Sequence, residues 1–341
     1  MNNTIFERIA VSPEIKGNAG ETIGYSRKGK PLQAFRLGDG PLPISLISGL
    51  HADEPVGPRY LRRLTSFLKT LPESHILLRQ YQWWIIPHAN PDGESLNRAW
   101  TDRANGSYQL ASYLSHVVSD SAPDDMEFGF PIDDRDKKAR PENKAIYRWW
   151  ESCETPFRLH LSIHGMTFGQ GPWFMIDPAW ISRSKPLIDV CTAMTAALGY
   201  QLQDGDHLNE KGVVRICQGF STRPDSWALK SYYANRDKPE IAANLRPNSM
   251  EIMRKLSGDC LTLMTEIPLF IIPDHTHSDN GQYFPRQNWY EQFNIWRRDG
   301  NQKRIETQAD NMQVKPMPVE DQMMLIFEFM RAGIKLVNDE G

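Results

Sequence analysis

The amino-acid sequence predicts an α/β protein with a mixed, mostly parallel central sheet and helices on both faces. Apolar runs typical of buried strands occupy residues 42–50, 83–86, 157–163 and 260–268. Between the first two runs, apolar residues recur at the spacing of an amphipathic helix, at Val56, Tyr60, Leu61, Leu64, Phe67, Leu68 and Leu71. A helix between two consecutive strands allows those strands to run parallel.

Local signals place the elements around these runs. Residues 22–40 predict two short strands joined by a turn at residues 28–30. Pro55 suits the first turn of the following helix, because its missing N–H costs nothing there. The turn-forming residues 87–93 end the second buried strand. Residues 101–140 are mixed and acidic, and we expect them to form a surface excursion.

The later part of the chain continues the alternation. Helices are expected at 141–150, 187–198, 248–256 and 319–337, and a further strand at 173–176. The polar residues 201–245 are expected to form an inserted loop over a pocket. We expect one catalytic domain over residues 1–341, with a core of about 22–270 and a C-terminal extension of about 271–341.

The composition limits the class of protein. The chain is 40% hydrophobic and 24% charged, with a net charge of −3. It therefore offers no basic field for nucleic acid or an anionic membrane surface, and it contains no apolar run long enough to span a bilayer. Its amino terminus lacks a basic segment followed by an apolar one, and its four cysteines are scattered singly. We expect a cytoplasmic protein with free thiols, no nucleic-acid partner and no membrane contact.

Metal-binding residue types follow the predicted buried strands. His51 and Glu54 lie three residues apart, where the first strand meets the helix. His164 follows another strand, and Glu266 lies near the end of a third. Because ligands gather at the carboxyl ends of parallel strands, we expect these side chains to lie close together. Two imidazoles and one carboxylate would leave a fourth zinc position open, which is typical of a catalytic site.

The HxxE spacing alone is weak support for a metal site. His207 and Glu210 repeat it in a polar stretch, where a solvated loop is the simpler interpretation. A histidine at a strand end can also be hydrogen-bonded locally, and Glu266 could be paired with a buried cation. The first copy is favoured because a strand and a helix fix its backbone on either side.

Five motifs strengthen the prediction, because they occur in the order found in one family: GLHADEP at 49–55, NPDG at 90–93, LNRAW at 96–100, LSIH at 161–164 and TE at 265–266. This set resembles the zinc carboxypeptidase family, the carboxypeptidase A-like metallopeptidases, over roughly residues 22–270. The resemblance implies that His51, Glu54 and His164 bind one zinc ion, the His₂Glu set of carboxypeptidase A. It also implies that Glu266 is the general base and acid.

The resemblance further implies contacts with substrate. Asn97 and Arg98 resemble the family's pair that grips a terminal carboxylate, for which a guanidinium supplies bidentate hydrogen bonds. Arg103 is the nearest candidate for the arginine that stabilises the oxyanion. Tyr233, beside Tyr232, falls in the interval where the digestive members carry a mobile tyrosine.

The sequence therefore predicts a zinc metallocarboxypeptidase-like hydrolase that cleaves an amide bond next to a free carboxylate, with a cell-wall-type peptide as the expected substrate. One alternative is an N-acyl amino acid deacylase of the succinylglutamate desuccinylase or aspartoacylase type, which shares the zinc triad, the Asn-Arg pair and the glutamate. A second alternative is a binding protein that holds zinc without turnover. The NPDG motif and the longer flanking regions favour the peptidase over the deacylase.

Overall fold

The fold was analysed in a computed structural model, which describes residues 3–15, 19–102, 106–120, 124–133, 135–205, 210–273 and 286–339. The strands are β1 (Glu21–Tyr25), β2 (Pro31–Leu37), β3 (Leu42–Ser48), β4 (Tyr81–Ile86), β5 (Leu159–Gly169), β6 (Trp173–Ile176), β7 (Arg215–Cys217), β8 (Phe220–Thr222), β9 (Leu261–Ile271) and β10 (Lys315–Pro316).

The α-helices are α1 (Asn3–Val11), α2 (Val56–Lys69), α3 (Ile76–Arg79), α4 (Pro91–Thr101), α5 (Leu110–His116), α6 (Pro141–Glu151), α7 (Lys185–Ala197), α8 (Ser226–Ala234), α9 (Pro239–Asn244), α10 (Ser249–Ser257), α11 (Arg286–Asp299), α12 (Gln302–Asn311) and α13 (Val319–Asn338). A 3₁₀ helix spans Pro178–Arg183. No helix in the described ranges is both long and apolar enough to cross a membrane.

All of the described strands belong to one sheet. Its order is β1-β2-β4-β3-β5-β9-β6-β8-β7, and β10 pairs with the end of β9. The four central strands, β4, β3, β5 and β9, are parallel, whereas the pairs at the margins are mostly antiparallel. These four strands are the four apolar runs of the sequence, because a strand buried on both faces has little need of polar side chains. The predicted α/β class is confirmed.

Helices cover the sheet on both faces and enclose two apolar clusters. On one face, α2 and α13 pack against the central strands, and Leu159, Leu161 and Ile163 of β5 contribute to the larger cluster. On the other face, α6 and α10 enclose a smaller cluster that includes Trp150 and Met253. The last helix, α13, therefore lies directly on the central strands.

Two segments differ from the sequence prediction. Residues 101–140 were expected at the surface, but they contain α5, and the side chains of Met126 and Phe130 are fully buried. Residues 201–245 were expected to form a loop, but they contain β7, β8, α8 and α9. Each segment also contributes a buried charged residue, Glu127 from the first and Arg223 from the second, so polarity did not indicate solvent exposure there.

Candidate metal centre and active site

His51 and Glu54 lie in a short loop between β3 and α2. The loop begins at Gly49, which has a φ of +64°. A Cβ at Gly49 would lie 2.5 Å from Nδ1 of His88, so both the backbone and the space require glycine. Pro55 immediately precedes α2 and fixes the other end of the loop. Both candidate ligands therefore sit on a constrained backbone.

The NPDG motif supports this loop. Asn90 caps α4 by accepting a hydrogen bond from the Gly93 N–H (3.0 Å), and its amide donates to Asp120 (3.2 Å). Asp120 in turn accepts a hydrogen bond from the Ala52 N–H (2.9 Å). A Cβ at Gly93 would lie 2.5 Å from the Ala52 side chain, so glycine allows this close packing. Asp92 accepts hydrogen bonds from the turn between β1 and β2, which is a structural role.

His164 and Glu266 lie on neighbouring parallel strands. His164 is on β5 and Glu266 is on β9, and the two residues are direct partners in the register of the pair. Both residues lie one position beyond the end of β3 in the strand direction, because Ser48, the last residue of β3, is paired with Ile163. The sheet therefore brings both residues to the edge at which the loop presents His51 and Glu54.

The three candidate ligands converge through specific atoms. His51 Nδ1 is 2.7 Å from Glu54 Oε1, and His164 Nδ1 is 3.0 Å from Glu54 Oε2. The two Nδ1 atoms are 3.3 Å apart. His164 is fully buried, whereas 28% of the His51 side chain is exposed, so the cluster is open on the His51 side. The structure thus brings together the three residues that the sequence predicted as ligands.

The donor set fits a zinc ion. Glu54 Oε2 is buried and forms no properly directed hydrogen bond with any described residue, although His164 Nδ1 is 3.0 Å away. The two Nδ1 atoms and the Glu54 carboxylate face one another at 2.7–3.3 Å. A cation bound by all three groups would satisfy them better than hydrogen bonds among the three groups. Imidazole and carboxylate are also zinc's usual ligands at a catalytic site. Within the described residues, His51, Glu54 and His164 form a group whose possible ligand atoms all lie within 4.8 Å of one another, close enough to hold one metal ion.

Two further carboxylates lie behind the histidine rings. Asp125 Oδ1 is 3.4 Å from His51 Nε2, and Glu127 Oε2 is 3.4 Å from His164 Nε2. Both lie in the segment that the sequence analysis assigned to the surface, so this prediction missed them. The sequence contains no signal for them, because the alternation of acidic and apolar residues from Asp125 to Phe128 predicts acidic side chains on the exposed side, whereas Glu127 is fully buried.

The carboxylates shift the ionisation of the site. Burial alone would lower the pKa of His164, but Glu54 and Glu127 outweigh it and raise this pKa to about 9. The pKa of His51 is also raised, because Glu54 and Asp125 outweigh its burial. Burial and the nearby charge of Glu54 raise the pKa of Glu266 to about 8. The site therefore has a strongly negative potential, which favours cations.

The two residues predicted to bind a substrate carboxylate, Asn97 and Arg98, have different surroundings in the structure. The Asn97 amide is buried and donates to backbone oxygens of Ala52, Gly93 and Val118, so it has no hydrogen left for a substrate. Arg98 is exposed and lines a separate cleft of about 1090 Å³, whose lining includes none of the three candidate ligands. Consecutive residues of a helix point in different directions. That both residues grip a substrate carboxylate therefore stays a prediction, which the three hydrogen bonds of the Asn97 amide do not favour.

Two other predicted residues are not placed at the site. Arg103 lies outside the described residues. Tyr233 is on α8, where its ring packs against Tyr232 with a centroid distance of 5.3 Å and faces the ammonium group of Lys211 at 5.8 Å. Nothing in the described part of the chain brings Tyr233 into contact with the cluster. Residues 206–209, which include His207 of the second HxxE copy, also lie outside the described residues.

Comparison with known proteins identifies the family of the region around the cluster. Residues 19–170 match the family model described as zinc carboxypeptidase. These residues belong to the zinc carboxypeptidase family. The resemblance seen in the sequence motifs is thereby confirmed. The matched region contains His51, Glu54 and His164, whereas Glu266 lies beyond it.

Individual carboxypeptidases resemble the chain to different extents. Carboxypeptidase SOL1 of Arabidopsis thaliana is 29% identical over 154 residues, which are 42% of this chain and only 28% of that protein. A metallo-carboxypeptidase from Burkholderia cenocepacia is 14% identical with a TM-score of 0.48, over 99% of this chain and 68% of that one. Carboxypeptidase A from Helicoverpa armigera is 13% identical with a TM-score of 0.46, over 93% of this chain and 68% of that one.

Proposed function

We propose that this protein is a zinc-dependent metallopeptidase of the carboxypeptidase type. The observation that carries the proposal is the convergence of both Nδ1 atoms with Glu54, beside Glu266 on the adjacent strand. His51, Glu54 and His164 would hold one zinc ion. When bound, zinc polarises a carbonyl group and lowers the pKa of water towards about 7.

The residues of the chain supply the proton transfers. Glu266 lies beside the candidate ligands on β9, as the direct register partner of His164. An ionised carboxylate at this position can accept a proton from the attacking water and pass it to the leaving amine. Its position on a central strand keeps it fixed during both transfers.

The finer substrate assignment is also a proposal. A cavity of about 170 Å³ adjoins Glu54, and its lining includes Met166, Thr167 and Leu269. We assign this cavity to a substrate side chain of moderate size, because it borders a candidate metal ligand and has both polar and apolar lining residues. We retain an amide bond next to a free carboxylate as the target, and a cell-wall-type peptide as the substrate, on the strength of the family resemblance.

The decisive experiment combines metal analysis with a substrate panel. The purified full chain, supplied with zinc, is incubated with peptides that have free or amidated C termini and with acetyl- and succinyl-amino acids. We expect stoichiometric zinc and release of C-terminal residues from free-acid peptides, with products identified by mass spectrometry. Cleavage of acyl amino acids alone would support a deacylase, and zinc binding without any cleavage would support a binding protein.

The Glu266→Gln variant tests the general base. We expect this variant to keep its zinc and lose at least roughly 100-fold in kcat, because general acid–base catalysis typically contributes this much or more. The matched control is Glu94→Gln, since Glu94 is a partly buried carboxylate paired with Arg62 outside the cluster. Near-native turnover by Glu266→Gln would remove Glu266 from the mechanism.

A further inference from the structure

Glu127 lies behind His164, on the side of the ring that faces away from Glu54. The hydroxyl of Ser162 is 2.9 Å from His164 Nε2 and 3.3 Å from Glu127 Oε2. With Nδ1 directed at the cluster, the proton is assigned to Nε2, which donates to the hydroxyl, and the hydroxyl donates to Glu127. This arrangement leaves Nδ1 with a free lone pair for a metal ion.

Arg223 fixes the carboxylate of Glu127. Its Nη2 donates to Glu127 Oε1 (2.7 Å) and to the hydroxyl of Ser249 (3.0 Å). Ser249, the first residue of α10, donates to the same oxygen through its hydroxyl (2.9 Å) and its backbone N–H (3.2 Å). A carboxylate at the first turn of a helix is also favoured by the helix dipole. Three donors therefore hold one oxygen of Glu127, while the other faces Ser162 and His164.

Burial of the ion pair between Arg223 and Glu127 carries a desolvation penalty in free energy. The side chains of Arg223 and Glu127 are only 1% and 2% exposed. Arg223 Nε and Nη1 are buried without a hydrogen-bond acceptor in the described part of the structure. A buried ion pair is seldom more stable than apolar residues of the same volume, so stability alone does not account for its presence. Its contact with His164 provides another reason.

We propose that Glu127 and Arg223 are positioning residues for His164. Glu127, through Ser162, selects the ring tautomer and fixes the ring orientation, and Arg223 keeps Glu127 ionised and in place. Acceptors behind a metal-bound imidazole generally act in this way. The inference rests on the proposed function in one respect, the assignment of His164 as a zinc ligand.

The Glu127→Gln variant provides the main test. Zinc affinity of the full chain is measured by competition with a chromophoric chelator, and the visible spectrum of the cobalt-substituted protein reports the ligand geometry. We expect affinity to fall roughly 10- to 100-fold, with an altered cobalt spectrum. The matched control is Asp177→Asn, because Asp177 is a buried carboxylate that binds Arg254 and Thr262 without contacting the cluster.

A double variant separates positioning from stability. Glu127→Gln leaves Arg223 unpaired and destabilises the fold, whereas adding Arg223→Met removes the buried charge and should recover stability in urea unfolding. We expect the double variant to keep its weakened zinc affinity. Arg223→Lys, which retains the positive charge, should bind zinc more tightly than Arg223→Met.

Four outcomes would overturn the proposal. If Glu127→Gln binds zinc as tightly as the wild type, Glu127 does not position His164. If the double variant recovers affinity together with stability, or if Asp177→Asn weakens zinc binding equally, the ion pair is only structural. If the wild type itself binds no zinc, the metal-site assignment fails, and the positioning role fails with it.

Discussion

The two faces of β5 differ sharply although they share one backbone. Leu159, Leu161 and Ile163 point to the face under α2 and α13 and belong to the larger apolar cluster. His160, Ser162 and His164 alternate with them and point to the opposite face, where they are equally buried. One face of the strand is thus built for packing and the other for hydrogen bonds.

The difference between the two faces of β5 explains how the fold accommodates a polar site at its centre. Buried polar groups are costly without a hydrogen-bond partner, and neighbouring residues supply such partners on the polar face, although His160 Nε2 has none among the described residues. His160 Nδ1 lies 3.0 Å from the hydroxyl of Ser45, and His164 is connected to Glu127 through Ser162. The apolar face stabilises the strand on which these polar groups depend. Substitutions on the two faces should therefore have separable effects.

The largest expected effect is on metal content. His164→Ala on the polar face removes one of three candidate ligands, so we expect loss of the stoichiometric zinc that the wild type retains after gel filtration, measured by elemental analysis. The control is His116→Ala, because His116 lies on α5 and binds its own helix backbone. Stoichiometric zinc in His164→Ala would refute this ligand set.

The next effect is on stability. Leu161→Ala on the apolar face should lower the free energy of unfolding by about 2–5 kcal/mol, because it deletes buried methyl groups and leaves a cavity. Urea unfolding of the zinc-free protein measures this change. Folded Leu161→Ala should still bind zinc stoichiometrically, since the side chain points away from the site. Loss of zinc from the folded variant would show that the two faces are not separable.

The smallest effect concerns pH. Burial, with a contribution from the charge of Arg223, lowers the pKa of His160 to about 3, so the folded protein keeps this ring neutral. In the unfolded chain the His160 ring binds a proton below about pH 6.5, whereas in the folded protein it stays neutral until about pH 3. Protonation therefore favours the unfolded chain, and the free energy of unfolding decreases as the pH falls from about 6.5 towards 3. At pH 5 the loss amounts to about 2 kcal/mol.

The variant His160→Gln isolates this contribution, because glutamine keeps a donor for Ser45 and does not titrate. Its free energy of unfolding should fall less than that of the wild type between pH 6.5 and pH 5, by urea titration at each pH. A wild type and variant with parallel profiles would show that His160 is protonated in the folded protein. His116→Gln serves as the control, because its ring lies away from the sheet.

The sequence by itself determined the central strands and the three candidate ligands. The strands were predictable because most side chains of a strand buried on both faces are apolar. His51, Glu54 and His164 were predictable because they follow such strands, and parallel strands place their carboxyl ends together. The strands follow from local patterns alone, whereas the ligand set also depended on the resemblance of five ordered motifs to the zinc carboxypeptidase family.

Only the tertiary structure decided which other polar residues reach the site. Asp125 and Glu127 come from a segment whose polarity suggested solvent exposure, and their partners are distant in sequence, 74 residues for His51 and 96 for Arg223. Conversely, Asn97 and Arg98 matched a motif. The orientation of α4 directs the Asn97 amide into the protein, whereas the Arg98 side chain lines a different cleft. The direction of a side chain depends on how its element packs, and residue type and spacing along the chain do not specify that packing.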